Sequence, residues 1–287
     1  MKAMGAAVFA MLAAVPVMAQ PGPGERVGLF ADPCAELPPQ PAIVAAYSAR
    51  ATQARAAKAA VPPRTAEEET AFRDWQKQVR LADFAALCRY RAENAALPAA
   101  SPARIVFMGD SITEGWLRER PSWFAGKDRI DRGISGQTTA QMLLRFPADV
   151  VALKPKLVHI LAGTNDVAGN TGPTSQVDIR NNITAMVDLA EANDIRVVIG
   201  TVLPARHYFW RPEVDPVPGI ADLNAWIRGF ARARKLVLVD YFAAMDDGRS
   251  GLSAADATDG VHPTPAGYAK MEALAAPAIA QGLAAPR

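Results

Sequence analysis

Cysteine and histidine are scarce in this chain of 287 residues, with two of the former and three of the latter. None of them falls in a spacing that grips zinc, so no metal is expected to organise the fold or the chemistry. Charge of one sign is equally lacking. Basic and acidic residues nearly balance at a net +2 and are mixed along the chain, with no basic stripe or block to suit nucleic acid. Beyond the N-terminus no apolar run is long enough to cross a bilayer, so the only membrane reading the sequence leaves is an uncleaved N-terminal anchor, the rival to a cleaved signal. Internal repeats are missing too, apart from a bias toward alanine.

The chain does have a distinctive start, MKAMGAAVFAMLAAVPVMAQ. Lys2 precedes an apolar run that is short for a span and broken by Pro16, and Val17-Met18-Ala19 offers the small residues a signal peptidase reads. Residues 1–19 are therefore expected to be a signal peptide, and the mature chain to be exported, periplasmic or secreted, without a membrane span. Export makes Cys34 and Cys88 of interest, since oxidising compartments permit disulfides. Two readings stand: a bond between them, contributing roughly 4 kcal/mol in the chain-entropy picture, or two buried thiols.

Residues 20–100 read as a linker followed by a helical extension. The first part is rich in Pro and Gly. An Ala-rich helix is expected over Ile43–Ala60, and another after Thr65, whose spacing to Glu68 is that of a capping box. Residues 101–287 look different. Short aliphatic runs at Ile105–Met108, Leu157–Ala162, Arg196–Val202 and Leu236–Val239, with a weaker one at Asp131–Ile134, alternate with helical segments at Thr138–Leu153, Ser175–Asn193 and Ile220–Arg234. That alternation predicts right-handed βαβ crossovers and a parallel sheet covered on both faces.

In such sheets ligands bind beyond the carboxyl ends of the strands. The segments there are GDSIT after the first strand, GISGQTT after the second and AGTND after the third. With strand order 2-1-3-4-5 these are immediate neighbours, roughly 5 Å apart at the sheet. They bring Ser111, Gly136 and Asn165 together. The long connection after the fifth strand ends in DATDGVHPTPAGY, and must carry Asp259 and His262 back over the sheet. Chemically the set is coherent. A serine hydroxyl needs a base, His262 can be one, and Asp259 can orient its imidazole. The N–H groups of Ser111 and Gly136 and the amide of Asn165 can hold an oxyanion.

Each signal has a plainer rival. Ser111 with Glu114 is also the S-x-x-E pattern of a helix cap. Asp259-Gly260 is a turn signal on its own, and Asp110 and Asp166 read as structural. GISGQTT lacks the lysine of a phosphate loop. His159 lies within a strand and reads as core. Tyr208, Phe209 and Trp210, after the fourth strand, either wall a substrate pocket or simply pack.

Taken together, GDSIT, GISGQTT, GTND and DGVHP resemble the blocks of the SGNH, or GDSL, serine hydrolases, including bacterial members similar to platelet-activating-factor acetylhydrolase. Ile112 stands where the family name has leucine, a volume-conserving difference. The resemblance implies a three-layer α/β/α sandwich of flavodoxin type with a five-stranded parallel sheet. It also implies ester hydrolysis without metal or cofactor, on a small ester or an acetylated carbohydrate. The catalytic residues would be Ser111, Asp259 and His262, with Ser111, Gly136 and Asn165 forming the oxyanion hole. Acyl transfer, thioester opening and non-catalytic glycan binding are the alternatives.

Overall fold

The computed structural model describes residues 28–57 and 59–284. The expected signal peptide lies outside them. The described residues divide into two compact units, one ending at Ala82 and the other beginning at Asp83.

In the first unit, helices α1 (Ala42–Ala56) and α2 (Ala66–Ala82) are joined by an ion pair, Arg50 to Glu68 at 2.6 Å. The capping box expected from the sequence opens α2. Glu68 accepts the Thr65 N–H at 3.0 Å while Thr65 Oγ1 accepts the Glu68 N–H at 3.2 Å, so each side chain satisfies a backbone donor that the helix start leaves over. Trp75 donates its indole N–H to Pro38 O at 3.1 Å. Neither Cys34 nor Cys88 is a free thiol.

The second unit runs α3 (Arg91–Ala96), β1 (Ile105–Gly109), α4 (Ser111–Glu119), α5 (Pro121–Phe124), β2 (Arg129–Gly133), α6 (Thr139–Asp149), β3 (Leu157–Leu161), α7 (Thr164–Val167), α8 (Gln176–Ala192), β4 (Arg196–Gly200), α9 (Pro216–Arg234), β5 (Val237–Val239), α10 (Tyr241–Met245) and α11 (Pro265–Ala284). All strand pairs are parallel, and the order is β2-β1-β3-β4-β5 as expected. Successive side chains of a strand point to opposite faces, and the sheet uses this to feed two cores. Val106, Met108, Val158, Ile160, Val197 and Ile199 pack with α6, α8 and α9. Ile105, Phe107, Leu157, Leu161 and Val198 pack with α4, α5 and α11.

The register positions the site. Gly109, the last residue of β1, pairs with Gly133 on one side and Leu161 on the other. The three strands therefore end level, and their following loops start from one line. Residues 83–100, grouped with the extension on sequence grounds, belong to this unit because their polar groups bond into it. The Tyr90 hydroxyl donates to Gly133 O, and Ala85 O and Phe84 O accept the side-chain amides of Gln137 and Gln141.

Candidate active site

Which residue caps the helix at the GDS turn is decided by Asp110. Its Oδ1 accepts the Ile112 N–H at 2.9 Å, which makes Asp110 the N-cap of α4. Ser111 is then the first helical residue, where its own N–H has no intrahelical carbonyl to meet. Glu114 does not close a capping box. Its carboxylate accepts from Ser135 instead, from the N–H at 3.0 Å and from the hydroxyl. The turn is tight enough to require glycine beside it. A Cβ on Gly109 would lie 2.0 Å from Thr113 Oγ1, and one on Gly133 would lie 2.1 Å from Glu114 N.

Relieved of capping, the Ser111 hydroxyl meets His262 Nε2 at 2.9 Å. His262 Nδ1 lies 2.7 Å from Asp259 Oδ2. The carboxylate fixes the proton on Nδ1, leaving Nε2 to accept from the serine. Asp259 Oδ1 also takes the backbone N–H groups of Val261 and His262 at 2.9 and 2.7 Å, so one side chain shapes the turn and holds the ring. Burial alone would raise the Asp259 carboxyl; the His262 ring and these backbone donors outweigh it and hold the group at about 2. Asp259 is thus a permanent anion near neutrality, able to stabilise an imidazolium.

The connection carrying these two residues is anchored at its far end. Thr264 N donates to Asp256 O at 2.7 Å, Lys270 pairs with Asp256 at 2.7 Å, and a Cβ on Gly267 would lie 2.4 Å from Asp256 O. The start of α11 therefore grips the loop just after it crosses the sheet.

Gly136 and Asn165 lie on the loops that follow β2 and β3, the two neighbours of β1. Gly136 has φ +79° and Gly163, before α7, has φ +124°, conformations that favour glycine. The Asn165 side chain is buried, and its Nδ2 donates to Gln137 O at 3.0 Å and to Asp110 Oδ2 at 3.2 Å. Asn170, which the sequence reading passed over, bonds to both oxyanion-hole candidates. Its Nδ2 donates to Asn165 Oδ1 at 2.7 Å and to Gly136 O at 3.1 Å. Only the turn-like run AGNTG marks it in the sequence.

Other carboxylates here are structural. Burial pushes Asp110 up to about 6, against the Ile112 N–H and the nearby His262. Asp166, likewise raised to about 6 by burial, accepts the Thr139 N–H and hydroxyl at the start of α6.

The aromatic run after β4 divides. Phe209 is exposed, and its ring and that of Trp210 lie 6.1 and 6.2 Å from the His262 ring. Of the two alternatives left open for this run, a pocket wall or simple packing, Tyr208 takes the second. It is fully buried, its hydroxyl 2.9 Å from Thr164 Oγ1, and it offers no surface to a substrate. His159 is core, bonded to the Tyr241 hydroxyl at 2.9 Å. Among the described residues no cluster of His, Cys, Asp and Glu could hold a metal ion.

Comparison with known proteins points the same way. The model of the GDSL-like lipase/acylhydrolase family matches residues 107–270. The solved structure of a GDSL-like lipase from Bacteroides thetaiotaomicron is 47% identical, with 69% of this chain and 99% of that one covered and a TM-score of 0.68. An acetylxylan esterase of Geobacillus stearothermophilus is 30% identical over 48% of this chain and 66% of its own length. The uncharacterized lipoprotein YqeF of Bacillus subtilis is 32% identical over 35% of this chain, and the match spans 48% of that lipoprotein.

Proposed function

The chain belongs to the GDSL-like lipase/acylhydrolase family, and from that premise we propose that it is an exported serine esterase releasing short acyl groups, acetyl foremost, from esters such as acetylated carbohydrates. The observation that carries the reading is the continuous line Asp259–His262–Ser111, with contacts of 2.7 and 2.9 Å. The hydroxyl of Ser111 attacks the ester carbonyl as His262 Nε2 takes its proton, and Asp259 stabilises the resulting imidazolium. The oxyanion is held by the N–H groups of Ser111 and Gly136 and by Asn165 Nδ2, which shares or gives up its longer bond, to Asp110, as charge develops. His262 then returns the proton to the leaving alcohol. Water, activated by the same imidazole, splits the acyl-enzyme and regenerates Ser111 with release of the acid. Phe209 and Trp210 flank the imidazole, where the alcohol departs.

Acetyl as the favoured group is supported by likeness to an acetylxylan esterase. Export is supported by the signal-like start, by likeness to a lipoprotein and by two cysteines of which neither is a free thiol, in keeping with an oxidising compartment. The test is a series of p-nitrophenyl esters of increasing acyl length, run on the wild type and on Ser111→Ala. The wild type is expected to show its highest kcat/KM on acetate, and the variant to melt at the same temperature yet fall to the uncatalysed background. Activity surviving in Ser111→Ala would overturn the nucleophile, and a preference for octanoate would overturn the short-acyl assignment.

A further inference from the structure

Three side chains, Asn165 of α7, Asn170 just after it and Trp210 from the loop after β4, form an unbroken polar line toward the proposed oxyanion hole. Trp210 Nε1 donates to Asn170 Oδ1 at 2.9 Å, Asn170 Nδ2 donates to Asn165 Oδ1 at 2.7 Å, and Asn165 Nδ2 faces Gln137 O and Asp110 Oδ2 beside the nucleophile. Resting on the esterase reading above, we propose that Trp210 is a positioning residue, which sets the Asn165 amide, and with it the oxyanion hole, through Asn170.

The case is one of donor and acceptor polarity. An amide's oxygen and nitrogen are nearly the same size, so shape alone does not choose between its two orientations. Indole N–H can only donate. Placed against Asn170, it draws the oxygen to itself and turns Nδ2 toward Asn165 and Gly136. Asn165 must answer with its oxygen, which leaves its own Nδ2 on the side of Ser111. The carbonyls of Gly136 and Gln137 can only accept, so both ends of the line demand the same orientation. Asn170 Nδ2 also reaches Gly136 O at 3.1 Å, so the one amide fixes two of the three oxyanion donors' surroundings. Such a chain gains from mutual polarisation, each bond strengthening the next. The indole is the only member that comes from the loop after β4. Removing its N–H leaves Asn170 Oδ1 without that donor and frees the amide to shift, while the ring beside His262 need not change.

The test separates this role from that of a pocket wall. Trp210→Phe keeps an aromatic ring and deletes the donor. On p-nitrophenyl acetate it is expected to lower kcat about three- to ten-fold, the rate equivalent of one ordinary hydrogen bond, with KM changed less than about two-fold. In an Asn165→Ala background, itself expected to lower kcat roughly 10²–10³-fold, the same substitution should cost clearly less, because the amide it sets is gone and only the Asn170 bond to Gly136 O remains. An equal loss in both backgrounds, or a rise in KM alone, overturns the proposal. Should Trp210→Phe fail to fold, Asn170→Ala replaces it: its loss is expected to shrink in the Asn165→Ala background to the part carried by Gly136 O, and a loss of equal size there overturns the relay. A wild-type chain without esterase activity would overturn the parent reading instead, so the two failures are distinguishable.

Discussion

At the scale of single residues, the two buried or half-buried histidines of the sheet region illustrate how surroundings assign roles. His262 meets a carboxylate on one nitrogen and a hydroxyl on the other, whereas His159 has only the Tyr241 hydroxyl and a buried Nδ1 with no partner. Burial pushes His159 down to about 3. In the unfolded chain the same group titrates near about 6.5. Between those values the unfolded state takes up a proton that the folded state refuses, so His159 costs stability progressively as pH falls from about 6.5 toward 3. The buried carboxyls Asp110, Asp131 and Asp166, raised to about 6, 7 and 6, act oppositely over the upper part of that window. A comparison of variant with wild type cancels them. His159→Gln, which does not titrate, is expected to recover roughly 1–3 kcal/mol of relative stability at pH 4 against pH 7. Urea midpoints at the two values measure it, and an identical acid response in both proteins would refute the assignment.

The residue scale is also where the sequence was most and least readable. Ser111, Gly136 and Asn165 could be read as candidates because the strand order sets their loops side by side, and Asp259 and His262 because a carboxylate three residues before an imidazole suits an orienting pair. Tyr208 could not. Three consecutive aromatics in an irregular loop have no period to tell inside from outside, and the hydroxyl partner of the buried one, Thr164, is far away in sequence. The cap was ambiguous for a similar reason, since Asp110 and Ser111 are both good N-caps and only the backbone geometry chose the former.

Among the elements, β2 explains why charged residues can hide a strand. Its sequence, RIDRG, breaks the aliphatic pattern, and the strand begins at Arg129, two positions before the residue the sequence suggested. The charges are accommodated individually. Arg132 donates to Asn94 Oδ1 from both Nε and Nη2, and Asp131 Oδ1 accepts the Gly133 N–H at 2.8 Å. A partner such as Asn94 belongs to tertiary structure and leaves no trace in local periodicity. Similarly, α9 starts at Pro216 behind the cap Asp215, ahead of the aliphatic residues that first signal a helix. Where β2 meets α4 the fit is close and the neighbours are backbone. The Cβ of a Gly133→Ala variant would stand 2.1 Å from Glu114 N and 2.7 Å from Asp110 O, both backbone atoms that can move only if the helix moves. Overpacking of this kind is expected to cost at least about 2 kcal/mol and to carry Ser111 away from His262. Chemical denaturation should show the first effect and p-nitrophenyl acetate turnover the second, with a variant of normal stability and rate refuting this account of the turn.

For the whole molecule, the question is how much chain the site needs. The family match starts at Phe107, and on sequence grounds the α/β part starts at residue 101. The hydrogen bonds set the limit further back. Tyr90 donates to Gly133 O at the end of β2, while Ala85 O and Phe84 O hold Gln137 and Gln141. Gln137 in turn accepts from Arg145 Nε, and the Gln137 carbonyl accepts from Asn165. The segment 83–97 thus braces the loop that presents Gly136, and removing it would leave buried polar groups unpaired at the oxyanion hole, at about 1–3 kcal/mol each. A chain beginning at Ser101 is therefore expected to lose most of its activity on p-nitrophenyl acetate and to melt well below the parent. One beginning at Asp83 should keep turnover within about three-fold, the equivalent of less than 1 kcal/mol in the barrier. Equal activity of the two truncated chains would mean that the brace contributes nothing to the site. Loss of activity in both would place a catalytic requirement among residues 1–82, where the sequence shows no chemistry.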